Sequence, residues 1–258
     1  VTEGTGDVGG AERNARKKKQ EQQAARAVAA ARGAKGDRTK VVIGVVVVAV
    51  LALVVVGGVI WSKSGSGGSL TPPKDVASVA APVKREGGVV VVGKDTAKAT
   101  IDLYEDFLCP ACGQFKKIYG DQIKQEIEKG TLRVRYHALP FLVRMSDPAG
   151  YSKDSANAAL CAADQGKFWE YHETLFAEQP DEGGPGYTKQ ELVKLGTDLG
   201  ITGDTFKACV EGDTYDKDTQ AELDQVRGKP YFGGTPSVAS GEQKVDVRDE
   251  NWLTNLVK

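Results

Sequence analysis

Three hydrophobic patterns succeed one another along the chain. Residues 41–61 form an unbroken run of Val, Ile, Leu, Ala and Gly closed by Trp61. Well beyond it come short strand-like runs at 89–92 and 99–105. A third strand is written in the alternation of Leu132, Val134 and Tyr136 with Arg133, Arg135 and His137. Between the second and third, the spacing becomes helical through Ala111, Phe115, Ile118, Tyr119, Ile123 and Ile127, with Gly130 as its stop. From about Asp147 helical spacing dominates. Ala156, Ala159, Leu160 and Ala163 mark one helix, and Trp169, His172, Leu175 and Phe176 another. Thr188 and Glu191 form a capping box that opens a third, with Leu192, Leu195 and Leu199 on its face. Phe206, Cys209 and Val210 mark a fourth; Thr219, Leu223 and Val226 mark a fifth. Strands return at 237–239 and 244–247 around a turn at Gly241, and Trp252, Leu253 and Leu256 begin a short closing helix. This order predicts an α/β domain split by a helical insertion at about 147–228.

The apolar run changes the picture from one domain to a tethered one. As a helix, 21 residues span about 30 Å, the apolar thickness of a bilayer, so the run predicts a single transmembrane helix. Charge orients it. Residues 1–40 carry ten Lys/Arg against five Asp/Glu, and only Lys63 lies between the run and Lys74. The excess of Lys and Arg before the span places the N-terminus in the cytoplasm and the body outside, a single-pass cell-membrane protein. A cleaved signal peptide is the rival. The basic region is long, the apolar stretch exceeds a usual signal core, and no Ala-x-Ala-like site lies close to it, which favours an uncleaved anchor. The expected layout is a basic cytoplasmic tail at 1–40, an anchor at 41–61, a flexible Ser/Gly- and Pro-containing stalk at 62–85, and a folded domain at 86–258. The tail reads as disordered, with a lipid-surface helix as the alternative. The body has 24 basic and 30 acidic side chains, which argues against nucleic acid as a partner.

Chemistry concentrates at Cys109 and Cys112, placed where a strand turns into a helix. Pro110 falls in the first helical turn, where its missing N–H costs nothing. Cys109 then sits at or beside the N-cap, and the free N–H groups and helix dipole favour its thiolate. Cys112, one turn inward, is expected to be more buried and to resolve a mixed disulfide. A zinc site would need four ligands, usually two such pairs, and Cys161 and Cys209 are isolated. A static disulfide is the other alternative. Outside the cytoplasm Cys161 and Cys209 are expected to pair with each other, closing a loop worth about 4 kcal/mol, with a second catalytic pair as the alternative.

The strand, the Cys-Pro-Ala-Cys motif and its helix, the helical insertion, and Gly234, Thr235 and Pro236 ahead of a late strand resemble the thioredoxin superfamily. Glu105, Asp106, Phe107 and Leu108 before the motif, and the stretch from Ala162 to Trp169 followed by His172, are similar to membrane-anchored DsbA-like thiol:disulfide oxidoreductases of actinobacteria. The resemblance covers roughly residues 86–258. It implies a thioredoxin fold with an inserted helical domain, a cis Pro236 facing the cysteines, and Thr235 backbone groups available to an extended substrate. Cys109, Pro110, Ala111, Cys112, Thr235 and Pro236 are the implied active-site residues. It further implies no bound cofactor and no metal. The implied partners are reduced or unfolded exported proteins and a membrane reoxidant of the DsbB or vitamin K epoxide reductase type.

One departure stands out. Where many thioredoxin-like strands carry a buried acid, this chain has Leu103. Glu105, on the same strand face, or Asp106 is the candidate proton relay in its place. His137 reads as a polar-face strand residue. His172 reads as packed with Trp169 and Phe176, its nitrogens on backbone or water. Phe107, Leu108, Phe141, Tyr231 and Phe232 are expected either in an apolar substrate surface or in the core. The expected activity is an oxidase of exported proteins. A reductase or isomerase, and a binding module with an incidental motif, are the alternatives.

Overall fold

The computed structural model describes residues 70–73, 76 and 78–258. The tail at 1–40 and the expected transmembrane helix at 41–61 lie outside the described residues. Among the described residues no helix is long and apolar enough to cross a membrane.

A six-stranded mixed sheet organises the domain. Its strands are β1 (Val83–Glu86), β2 (Val89–Val92), β3 (Ala99–Glu105), β4 (Leu132–Ala138), β5 (Ser237–Ser240) and β6 (Gln243–Lys244). They lie in the order β1-β2-β4-β3-β5-β6, and only the β3–β4 pair is parallel. That pair needs a crossover, and α1 (Pro110–Lys129) supplies it. Gly130 closes α1 in the left-handed region at φ 80°, its N–H on the Ile127 carbonyl, while the Thr131 N–H returns to Glu126. A side chain in that conformation would be strained, which is why the stop is Gly.

Alternation along β3 and β4 divides the side chains between two cores. Ile101, Leu103, Val134 and Tyr136 enter the larger one, shared with Phe107, Ile123, Ile127, Phe168 and Leu175. Tyr104 faces the other side, packing with Leu139, Leu223, Val226 and Ala239. Five helices fill the insertion between β4 and β5: α2 (Tyr151–Asp164), α3 (Phe168–Ala177), α4 (Lys189–Asp198), α5 (Asp204–Glu211) and α6 (Asp216–Val226). Helix α2 is their hub, packing on each of the other four and on β1 and β2. Helix α7 (Trp252–Val257) closes the chain. The predicted capping box is formed at the start of α4, where the Glu191 N–H donates to the Thr188 hydroxyl and the Thr188 N–H to the Glu191 carboxylate.

Cys161 of α2 and Cys209 of α5 form a disulfide, their Cα atoms 5.9 Å apart. Asn157 adds a polar stitch between the same elements. Its amide donates to the Val210 carbonyl, and its oxygen accepts the Tyr215 N–H. Arg85 joins β1 to this block through Asp164 at 2.6 Å and lies over the Tyr215 ring.

Three expectations are corrected. The stalk does not extend to residue 85: Val83–Glu86 is a strand, and Leu70 is fully buried in the larger core. That strand escapes the pattern because it is four residues of alternating accessibility, two of them charged on its open side. The late strand expected at 244–247 is only Gln243–Lys244, with one further bond from the Val245 N–H to Val238. Helix α2 begins at Tyr151 rather than near Asp147, because its N-cap Gly150 stands at φ 132°, outside helical geometry.

Candidate active site

The site is built where β3 gives way to α1. Asp106 folds the connection: its Oδ1 accepts the Leu108 N–H at 2.8 Å, and its carbonyl accepts the Cys109 N–H at 3.0 Å. Cys109 arrives at the N-cap with extended backbone, and Pro110 takes the first helical position. The Cys112 N–H donates to the Cys109 carbonyl at 3.0 Å, which closes the turn and brings the two thiols together. Both cysteines are free and buried. Thr235–Pro236 is a cis peptide, and the Thr235 carbonyl lies 3.2 Å from the Cys109 Sγ. Cys109, Pro110, Ala111, Cys112, Thr235 and Pro236 thus meet at one place.

The two thiols are electrostatically unlike. A hydrogen bond from the Cys112 side chain lowers Cys109 most, followed by the Thr235 side chain and the Cys112 and Ala111 N–H groups. Together they overcome burial and bring Cys109 to about 6. The Thr235 hydroxyl contributes although it is buried without a partner of full hydrogen-bond geometry. Burial pushes the Cys112 thiol well above its ordinary value, and the bond it gives to Cys109 pushes the same way.

Asp106 and Glu105, the two candidate relays, have different fates. Both are buried. The Asp106 Oδ2 accepts the N–H groups of Phe141 and Leu142 and the Ser152 hydroxyl. With Oδ1 on Leu108, both oxygens are engaged, so Asp106 fixes three segments around the site rather than standing ready as a base. Burial raises its pKa, against those bonds. Glu105 instead meets the Nε2 of His172 at 2.5 Å. The other ring nitrogen lies 3.4 Å from Glu173, and Glu173 pairs with Lys116 at 2.6 Å. A polar chain therefore runs from the buried strand end to partly exposed groups. Burial alone would lower His172, but the Glu105 charge and hydrogen bond raise it.

His172 does pack with Phe176, at 5.0 Å between rings, but its nitrogens go to carboxylates, not to backbone or water. His137 does lie on a polar strand face, but a buried one. It is buried between Asp102 at 2.9 Å and Glu222 of α6 at 2.8 Å, on the opposite sheet face. The aromatic expectations split. Phe107 and Leu108 are core residues. Phe141 remains 39% exposed, edge-on to the half-buried Phe232, and its ring approaches Gly234 beside Thr235. Tyr231 stacks on Tyr104. Met145, 42% exposed on the segment after Phe141, joins the apolar residues that sequence pattern did not single out. Ser152, Glu173, Lys116 and Gln179 were missed as well. Ser152, Glu173 and Gln179 reach the site from positions distant in sequence, while Lys116 lies on α1 itself and only its ion pair with Glu173 marks it.

A buried cysteine pair at the N-terminus of the crossover helix, faced by a cis-Pro loop, on a mixed sheet interrupted by helices, defines a thioredoxin-fold redox protein. The chain belongs to the thioredoxin family: residues 85–258 match the family described as Thioredoxin. It is 31% identical over 179 residues to the serine/threonine-protein kinase PknE of Mycobacterium tuberculosis, covering 65% of this chain but 31% of the kinase. It thus spans about a third of that relative's length. Disulfide bond formation protein D of Bacillus subtilis is 29% identical, over 58% of this chain and 67% of its own. Among solved structures, the MdbA thiol-disulfide oxidoreductase of Corynebacterium diphtheriae superposes with a TM-score of 0.62 at 24% identity. That match covers 71% of this chain and 96% of the other, and it supports the fold. The oxidised DsbA of M. tuberculosis gives 0.55 at 26% identity, over 64% and 86%.

Proposed function

We propose that this chain is a thiol:disulfide oxidoreductase, working outside the cytoplasm as an oxidase of exported proteins. The observation that carries this reading is the split between the two thiols: Cys109 is brought to about 6 while Cys112 is pushed up. A low Cys109 stabilises the reduced form and makes the disulfide a better oxidant. In the forward step a substrate thiolate attacks the Cys109 sulfur of the Cys109–Cys112 disulfide. The substrate–Cys109 bond forms, the Cys109–Cys112 bond breaks, and Cys112 leaves with the electron pair and takes up a proton. A second substrate thiolate then attacks its own chain's sulfur, and Cys109 leaves as a stabilised thiolate. The substrate has lost two electrons and this chain has gained them. A membrane oxidant of the DsbB or vitamin K epoxide reductase type takes them on.

The Cys112 proton needs an interior route, since Cys112 is 2% exposed. In this reading Glu105 supplies it, exchanging protons outward through His172 and Glu173. The Thr235 backbone offers one strand-like edge to an extended substrate, and Phe141, Met145 and Phe232 offer apolar contact beside it. The apolar run at 41–61 with its basic flank supports a membrane anchor and an extracytoplasmic body. Equilibrating the full chain against glutathione buffers tests the direction of flow. A potential well above thioredoxin's, about −270 mV, is expected. A value at or below it would overturn the oxidase assignment in favour of a reductase.

A further inference from the structure

We propose that Gln179 is a positioning residue for the redox site. It is a latch from the inserted helical domain that tunes the Cys109 thiolate. This deepens the oxidoreductase reading and rests on it. Gln179 lies just past the end of α3, 70 residues from Cys109. Its Nε2 donates to the Phe107 carbonyl at 2.9 Å and to the Cys109 carbonyl at 3.0 Å. Both acceptors belong to the connection that delivers the nucleophile.

The consequences are electrostatic and geometric. The Cys109 carbonyl already accepts the Cys112 and Gly113 N–H groups, at 3.0 and 3.2 Å. Its partial negative charge sits on the same residue as the thiolate. A third donor withdraws that charge and brings the positive end of an amide dipole toward Cys109. It also fixes the carbonyl, and with it the direction in which the first N–H groups of α1 point at the sulfur.

A second, independent observation points to the same contact. Gly113 lies on α1 directly beneath the amide. A Cβ built there would fall 2.2 Å from the Gln179 Oε1. At this fourth residue of α1 the backbone does not call for Gly, which is a poorer helix former than Ala. The close approach of Gln179 does. The latch also floors a cleft of about 250 Å³ lined by Pro110, Gln114, Lys117 and Phe176 beside the cysteines.

The test compares Gln179→Leu, Gly113→Ala and the double variant in the full chain. Leu removes the donors. Ala at 113 evicts the amide while leaving Gln179 in place and improving helix propensity. The readouts are the pH dependence of Cys109 alkylation and the equilibrium constant with glutathione. Each single variant is expected to weaken thiolate formation roughly three- to tenfold, the worth of an ordinary hydrogen bond. The equilibrium constant for reduction is expected to fall by a similar factor, and the double variant to fall no further than the single ones. A purely structural latch would lower the melting temperature of both redox forms and leave both readouts alone. Wild-type Cys109 ionising near 6, with both single variants within twofold of it, overturns the Gln179 role alone. Wild-type Cys109 ionising near an ordinary thiol value overturns the active-site reading and the Gln179 role together.

Discussion

The chain holds two cysteine pairs, and the protein around them makes them different chemicals. Cys109 and Cys112 are three residues apart on one helical turn, free, and surrounded by donors that favour charge on one sulfur and burial that forbids it on the other. Cys161 and Cys209 are 48 residues apart, on two helices, and already bonded. The first pair sits within one turn at the start of one helix. The second joins elements that would otherwise be held by packing and by Asn157. Reactivity here follows from where a helix begins, and stability from how much chain a bond encloses.

The largest expected effect crosses the two pairs. Cys109→Ser should reduce disulfide exchange to the uncatalysed background while the reduced protein, compared below about pH 6 where the Cys109 thiolate adds little, keeps its denaturant midpoint. Cys161→Ala with Cys209→Ala should keep exchange and lose about 4 kcal/mol of unfolding free energy, the chain-entropy worth of a loop this long. Exchange rates and denaturant midpoints on the same variants check both, and a swap of the two outcomes would reverse the roles.

A smaller effect sharpens the first pair by pH. The Cys109 pKa falls from an ordinary 9.0 to about 6 on folding. A depressed acid stabilises the folded reduced form fully above the unfolded value and loses that contribution as pH falls through the folded one. The reduced form should therefore gain stability relative to the oxidised form as pH rises from about 6 to about 9. Cys112, shifted upward, acts in the opposite sense and only above that window. Melting curves of both redox forms across this range measure the difference, and a pH-independent gap would contradict the depressed Cys109.

The smallest effect belongs to the stapled block alone. Thr188→Ala removes the cap that opens α4 and should cost about 1 kcal/mol. The glutathione equilibrium should not move. Chemical denaturation and the redox midpoint, read on one sample, separate the two.

Those contrasts also explain what could be read from the chain. The Cys-Pro-Ala-Cys turn, the Gly130 stop and the Thr188 capping box are local devices: each is completed within a few residues, so spacing reveals it. The division of the domain by a helical block was legible for the same reason, because 3.6-residue periodicity persists through it. Glu105 with His172, His137 between Asp102 and Glu222, and Gln179 on Cys109 are assembled by topology across 35 to 85 residues. Nothing near His172 names Glu105 as its partner. Strand β1 was lost to a third cause. It is short and at an edge, so only one neighbour and half its side chains impose a pattern.

That edge has a further meaning. A protein proposed to handle unfolded chains meets many segments eager to add themselves to any open sheet. This sheet ends on one side in four residues, where Lys84 and Glu86 stand exposed and ion-paired at 3.0 Å. On the other side it ends in two residues, Gln243 and Lys244, both exposed. Neither border is long or apolar enough to seed stacked growth of a foreign strand. On that proposed role, the fold is insulated from the aggregation of the chains it would handle.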